Sequence, residues 1–231
     1  MVQNLPTSET YEKEFHYMPW GKLINEIKTL VSSQVAQNGK VLDLLCGPGY
    51  LLGQLQKMRP DLSYYGVDLE SEFITHAKEL YPDITFEVAD AFEWKTETLY
   101  DVVLCTGGLH HLPYNQQESF VEKLSKLIKS DGFAIMADPY IDDFSNEAER
   151  KIAGAKLGYE YLAITIRNGA TDDVIKAAIE ILSNDVQLVE FKSSVKKNKA
   201  IFEKYFSKIE MHKTWPDSET EYGDYYFILK K

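Results

Sequence analysis

The sequence predicts an α/β fold: a seven-stranded, mostly parallel sheet with helices on both faces. Three observations carry that expectation. Between residues 40 and 137, apolar strand-like runs alternate five times with segments of helical periodicity, joined by short connections. Such alternation packs as parallel strands linked by crossover helices. The run Val41-Leu42-Asp43-Leu44-Leu45 leads into Cys46-Gly47-Pro48-Gly49. This is a buried strand feeding a helix through two glycines, whose missing side chains admit a ligand to the backbone. Two more strand-like runs, 208–215 and 224–229, flank a polar connection at the end of the chain. They predict an antiparallel hairpin that completes the sheet.

The elements follow in order. Trp20, Leu23, Ile24, Ile27, Leu30 and Val31 recur at helical spacing, and Asn38-Gly39 ends that helix. Strand one spans 40–45. Leu51, Leu52, Leu55 and Met58 mark the next helix, which Arg59-Pro60 ends. Strand two, 63–67, runs to Asp68. Phe73, Ile74, Ala77, Leu80 and Tyr81 give a helix stopped by Pro82. Strand three alternates Ile84, Phe86 and Val88 before Asp90, and strand four spans 101–106. Phe120, Val121, Leu124, Leu127 and Ile128 form a further helical face. Asp131-Gly132 then turns the chain into strand five, 133–137. Residues 140–205 read as mostly helical, with Val174, Ile175, Ala178, Ile179 and Leu182 on one face.

Length and charge bound the organisation. A chain of 231 residues suits one domain with an elaboration. The expected layout is a single domain, 1–231, with an N-terminal helical lid at 1–38 and a ligand-binding core at 39–139. A helical cap insertion at 140–206 and the strand hairpin at 207–231 complete it. With 36 acidic against 25 basic residues the net charge is −11, which argues against a nucleic-acid ligand. The lysines at 192, 196, 197 and 199 read as a solvated helix face. No apolar run approaches the roughly 20 residues of a membrane span. The first residues do not resemble a secretory leader, and two cysteines make no disulfide framework. The expectation is a reduced, cytoplasmic protein, a monomer or homodimer, with no nucleic-acid or membrane partner and no metal.

The glycine turn narrows the ligand. A dinucleotide fingerprint, Gly-x-Gly-x-x-Gly, finds its first two positions at Gly47 and Gly49. Leu52 stands at the third, and Gly53 comes one residue late. The third glycine serves close helix–strand packing beside a pyrophosphate, so its absence weakens a nicotinamide or flavin reading. No P-loop sequence is present. Asp68 follows the turn by about twenty residues, where a carboxylate accepts from ribose hydroxyls. A nucleoside without phosphate contacts fits these features.

The ordered blocks resemble the class I S-adenosylmethionine-dependent methyltransferases of the small-molecule type. They are Asp43-x-x-x-Gly47-x-Gly49, Gly66-Val67-Asp68, Ala89-Asp90-Ala91-Phe92, Tyr100-Asp101-Val102-Val103 running into Leu109-His110-His111-Leu112, and Ser130-Asp131-Gly132-Phe133. The resemblance implies a Rossmann-like sheet and S-adenosylmethionine as cofactor, leaving S-adenosylhomocysteine as product. It places Gly47, Gly49 and the Cys46 carbonyl at the methionine moiety and Asp43 at its ammonium. Asp68 would hold the ribose, with Leu69, Asp90, Ala91 and Phe92 at the adenine. Thr106 and Gly107 would border the sulfonium.

Bland readings stand beside these roles. Asp43 as a buried anchor, Asp68 as a helix N-terminal charge and Asp90 as a turn residue satisfy the same positions. Cys46 and Cys105 read as small buried hydrophobes.

Methyl transfer from a sulfonium needs alignment and water exclusion, and a base only where the acceptor keeps its proton. His110 and His111, following strand four, are the candidates for that base. Tyr11, His16, Tyr17 and Trp20, with Phe15, make the N-terminal segment a candidate lid over cofactor and substrate. From the cap, Tyr140 and Arg167 are candidate substrate contacts, Arg167 for an acidic group. The expected reaction is methylation of O, N or C on a small molecule, as in biosynthetic tailoring. The rivals are a cofactor-dependent rearrangement or cyclisation without methyl transfer, and a non-catalytic cofactor-binding partner protein.

Overall fold

The central strands are buried on both sides because helices cover both sides. A computed structural model describes residues 8–187 and 189–231. Its strands are β1 (Lys40–Leu44), β2 (Ser63–Asp68), β3 (Thr85–Val88), β4 (Tyr100–Thr106), β5 (Ile128–Tyr140), β6 (Lys208–Trp215) and β7 (Gly223–Lys230). They form one sheet in the order β3-β2-β1-β4-β5-β7-β6. β1 to β5 pair in parallel, and β7 runs antiparallel to both β5 and β6. The Rossmann-like arrangement expected from the sequence is therefore present, hairpin included.

Alternation along the strands divides the interior into two cores. Val41, Val102, Leu104, Phe133 and Ile135 face one core. There they meet α2 (Trp20–Gln34), α3 (Tyr50–Met58), α4 (Ser71–Leu80), α6 (Glu147–Arg167) and α7 (Asp172–Gln187). Leu42, Leu44, Val103, Ala134 and Met136 face the other. It is covered by α5 (Tyr114–Lys126) and α8 (Val195–Phe202). A first helix, α1 (Ser8–Tyr17), precedes α2 and packs against α2 and α7.

Two expectations change. The strand expected at 133–137 begins at Ile128, and Leu127 and Ile128 do not continue α5. The Tyr100 N–H donates to the Leu127 carbonyl, drawing the chain into the sheet one turn early. A register shift between Tyr100 and Val102 absorbs Asp131-Gly132, which lies inside the strand. A side chain at Gly132 would come within 2.7 Å of the Asp101 carbonyl oxygen.

The helical segment expected as one cap also divides. α6 and α7 run side by side on the α1 side of the sheet. α8 joins the opposite core, with the Phe202 ring 5.1 Å from that of Phe227. Among the described residues, no helix is long and apolar enough to cross a membrane.

Candidate active site

The chain turns sharply after β1. Leu45 (φ 61°), Gly47 (φ 53°) and Gly49 (φ 78°) all take left-handed backbone, a conformation that costs a leucine about 1–2 kcal/mol. The turn curls around the Asp68 carboxylate. The Gly47 N–H donates to Asp68 Oδ2 at 2.8 Å, and the Glu70 N–H donates to Oδ1 at 2.9 Å. Burial raises the Asp68 carboxyl above its ordinary value, against those N–H bonds. A Cβ on Gly47 would meet nothing within 4 Å, whereas one on Gly49 would lie 2.7 Å from the Phe86 ring. Gly47 thus faces open space and Gly49 faces packed core.

Asp43 lies in the middle of the sheet, between Gly66 of β2 and Leu104 of β4. It is 2% exposed, and its Oδ1 has no hydrogen-bond partner. Burial, with Asp68 adding negative charge, pushes its carboxyl up to about 8. A carboxylate held this way favours a cationic ligand beside it. Burial also pushes the Cys46 thiol well up.

The ends of the neighbouring strands complete the cradle. Leu69 is 58% exposed, an apolar surface at its mouth. Asp90 is exposed and accepts the Phe92 N–H at 2.8 Å, while Ala91 is buried and Phe92 half-buried. Thr106 presents a buried hydroxyl without a partner. Gly107 (φ 67°) lies so close under Trp20 that a Cβ there would come within 2.4 Å of the indole.

α1 lies across this cradle. Phe15 stacks on Tyr50 of α3 at 4.2 Å, and Tyr11 lies 6.2 Å from Phe73 of α4. Glu12 pairs with His76 at 3.6 Å. Burial, with the carboxylates of Glu14, Asp68, Asp43 and Asp138 nearby, pushes the Tyr11 phenol far above its ordinary value.

On the inner side of α1 is a cavity of about 110 Å³, walled by α1, α6, α7 and the single 3₁₀ turn at Leu109–His111. Met18, Trp20, Leu157 and Ile181 supply apolar wall, and Gly107 joins the cavity to the cradle. The polar wall includes Glu14, His110, His111, Glu190 and Lys192.

His110 is held at two points by one carboxylate. Its Nδ1 lies 2.6 Å from Asp138 Oδ1, and its backbone N–H donates to Asp138 Oδ2 at 3.1 Å. An acceptor at Nδ1 assigns the proton there and leaves the Nε2 lone pair available. Nε2 lies 3.8 Å from Glu190 Oε2. Burial, then the neighbouring His110, lowers His111 to about 3, so its imidazole is neutral.

The Lys192 ammonium bonds Asp185 Oδ1 at 2.6 Å and also Glu190. Burial opposes its charge, but the two carboxylates outweigh burial and hold it above the usual lysine range.

The structure brings Tyr11, Trp20, Gly107, His110 and His111 to one cavity. It does not bring the other lid and cap candidates there. His16 is exposed on the outer side of α1. Tyr17 packs at the edge of the core, its carbonyl accepting from the Asn168 side chain. Tyr140 is 1% exposed and packs edge-on to Tyr225 and Phe227. β5 alternation points it to the core opposite the cavity. Arg167 ends α6 in solvent.

Lys192, expected on a solvated helix face, is 4% exposed and precedes α8. Glu14, Asp138, Asp185 and Glu190 were not singled out as site residues by the sequence. Only Asp138 carried a signal, as an acid at the end of a parallel strand.

Comparison with known proteins agrees with the geometry. Residues 41–132 match the family described as a methyltransferase domain.

The chain is similar to a putative methyltransferase of Invertebrate iridescent virus 6, 30% identical over 126 residues, 54% of this chain and 44% of that protein. It is also similar to a trans-aconitate 2-methyltransferase of Shigella dysenteriae, 26% identical over 137 residues, 53% of this chain and 54% of that protein. The chain thus spans about half the length of the curated relatives it matches.

Among solved structures, a plantazolicin methyltransferase in complex with a monoazolic desmethylPZN analog and S-adenosylhomocysteine shares the fold. Its TM-score is 0.65 at 12% identity, over 96% of this chain and 88% of that one. A magnesium protoporphyrin IX methyltransferase of Synechocystis with bound S-adenosylmethionine gives 0.59 at 13%, over 92% and 80%.

Proposed function

We propose that this chain transfers a methyl group from S-adenosylmethionine to oxygen, nitrogen or carbon of a small molecule held in the cavity beside His110. The carrying observation is Asp43: a carboxylate buried with an unpartnered oxygen beside a glycine whose missing side chain leaves open space. That pair suits the ammonium and backbone of a methionine moiety.

The remaining cradle residues divide the rest of the cofactor. Asp68 would accept from the ribose hydroxyls. Leu69, Ala91 and Phe92 would enclose the adenine, and Asp90 would accept from its amino group. Cys46 and Gly49 keep the turn in shape, and Thr106 with Gly107 borders the reacting centre.

The cofactor supplies an activated methyl on a sulfonium. The chain's own contribution is alignment of the acceptor, exclusion of water by α1 with Tyr11 and Trp20, and a proton acceptor at His110 Nε2. Asp138 positions His110 and supports the imidazolium that forms. His111 stays neutral and lines the wall. The cap reduces in this reading to α6 and α7, the helices that wall the cavity. Small-molecule tailoring is supported by the cavity size and by natural-product methyltransferases among the structural neighbours.

Calorimetry with S-adenosylhomocysteine tests the donor half. Binding is expected, weakened by Asp68→Ala, and an absence of binding to the unaltered chain overturns the reading. Turnover with a panel of acceptors tests the other half. Donor consumed without a methylated product would indicate rearrangement chemistry. Binding with no turnover on any acceptor would indicate a non-catalytic partner.

A further inference from the structure

We propose that the acceptor carries an ammonium group and that Glu14 of α1 holds it in the cavity beside His110. The inference rests on the methyl-transfer reading and names the acceptor's chemical class.

The cavity wall is electrically unbalanced. Four carboxylates line it, Glu14, Glu180, Asp185 and Glu190, with one lysine, Lys192. Lys192 is already committed to Asp185 and Glu190. Behind the wall, Arg150 donates to the Asp185 carbonyl at 2.7 Å. Neither cation donates to Glu14.

Glu14 is 6% exposed and its Oε1 has no hydrogen-bond partner. An ionised carboxylate buried in this way is costly unless a positive charge meets it. Burial first, then Glu190 and Glu180, push its carboxyl up to about 8. At pH 7 the Glu14 carboxyl is then mostly neutral, and a cation beside it would expel that proton. The groups facing the same space are Tyr11 from α1, Tyr161 from α6, Glu180 and Asp185 from α7, His110 and His111 from the 3₁₀ turn, and Glu190 and Lys192.

A metal ion answers the same charge less well. His110, His111 and Glu190 offer ligand atoms within 4.8 Å of one another. The Glu190 oxygen facing His110, however, already accepts from the Lys192 ammonium. A divalent ion there would sit against that fixed positive charge. An ammonium at Glu14 meets a carboxylate oxygen that no donor already occupies. An acidic acceptor, the group Arg167 was read to hold, would enter a cavity lined by four carboxylates while Arg167 itself lies in solvent.

The test titrates propylamine and benzylamine, and their alcohol counterparts propanol and benzyl alcohol, into the full chain with and without S-adenosylhomocysteine. The amines are expected to bind more tightly than the alcohols, and more tightly still as pH rises from 6 to 8. Glu14→Gln is expected to weaken amine binding roughly 30-fold while leaving alcohol and S-adenosylhomocysteine binding unchanged. The unchanged S-adenosylhomocysteine affinity shows that the variant is folded. Proton release on amine binding, read from titrations in buffers of different ionisation enthalpy, is expected to disappear in Glu14→Gln.

Alcohols binding as well as amines, or amine binding indifferent to Glu14→Gln, overturns the proposal. So does zinc ion displacing the amines in a manner that requires His111. Failure of S-adenosylhomocysteine to bind defeats the methyl-transfer reading itself. Loss of amine preference with that binding intact defeats this inference alone.

Discussion

The donor cradle and the acceptor cavity each contain a buried carboxylate with an unpartnered oxygen, yet they are built in opposite ways. Asp43 sits on the central strand, pinned by Gly66 on one side and Leu104 on the other. Glu14 arrives on α1, whose anchors include the Phe15–Tyr50 stack and the exposed Lys13–Asp173 pair at 3.3 Å. Burial pushes both carboxyls up to about 8. The sheet fixes the cradle's shape, which suits it to the one cofactor proposed for it. The cavity is assembled from segments more than 170 residues apart, Glu14 to Lys192, and its chemistry is free to differ from chain to chain on the same scaffold.

The largest effect is expected at Asp43. Asp43→Asn leaves the donor's ammonium without its counter-charge and should lower S-adenosylhomocysteine affinity on the order of 100-fold. Amine binding in the absence of S-adenosylhomocysteine should be unchanged. Glu14→Gln gives the reverse pattern. If either variant disturbs both ligands equally, the two sites are one, and the comparison fails.

The same pair sets a pH dependence. A carboxyl raised in the folded state keeps a proton that the unfolded chain has released, so stability falls as pH rises from about 4 to about 8. Melting temperature against pH should show this decline, partly flattened by Asp43→Asn and partly by Glu14→Gln. S-adenosylhomocysteine should flatten the Asp43 part only.

A smaller effect is expected where the two regions meet. His110→Gln removes the proton acceptor and should reduce turnover of hydroxyl or ammonium acceptors roughly 100-fold, with S-adenosylhomocysteine affinity intact. Asp138→Asn keeps an acceptor for His110 Nδ1 but loses the charge that supports the imidazolium. A loss of about 10-fold in kcat is expected, with little change in KM. A Glu190→Gln variant equally impaired in kcat would move the positioning role from Asp138 to the Lys192 network.

This asymmetry explains what the sequence made legible. Asp43, Gly47, Gly49 and Asp68 lie within one strand–turn–helix–strand unit, where short-range spacing and parallel topology bring them together without any other part of the chain. The parallel strands and the hairpin followed from periodicity in the same way, whereas the strand order came only from the structure. β5 began earlier than its pattern indicated because Leu127 and Ile128 suit a helical face as well as a strand. The Tyr100–Leu127 backbone bond decides between them.

The cavity was not legible, since its polar wall depends on how α1, α6 and α7 pack. Lys192 sits in a basic stretch that reads as surface, and only its burial against Asp185 and Glu190 shows otherwise. Tyr140, a candidate substrate contact from the cap, lies away from the cavity for a reason of register: along β5, adjacent residues point to opposite faces, and Pro139 rather than Tyr140 reaches the cavity.

The smallest effects are expected from two glycines that share a backbone conformation but not a neighbour. Gly47 (φ 53°) and Gly107 (φ 67°) both lie in the left-handed region, so alanine should cost either about 1–2 kcal/mol of stability. Beyond that shared strain the outcomes separate. The methyl of Gly47→Ala enters space that meets no protein atom within 4 Å, so it should weaken S-adenosylhomocysteine binding several-fold and leave amine binding alone. The methyl of Gly107→Ala would come within 2.4 Å of Trp20, and the indole must move. Trp20 forms part of the cavity wall, so this variant should weaken both ligands and shift tryptophan fluorescence. Equal effects of the two alanines on both ligands would mean that the open space at Gly47 belongs to the cavity rather than to the cradle.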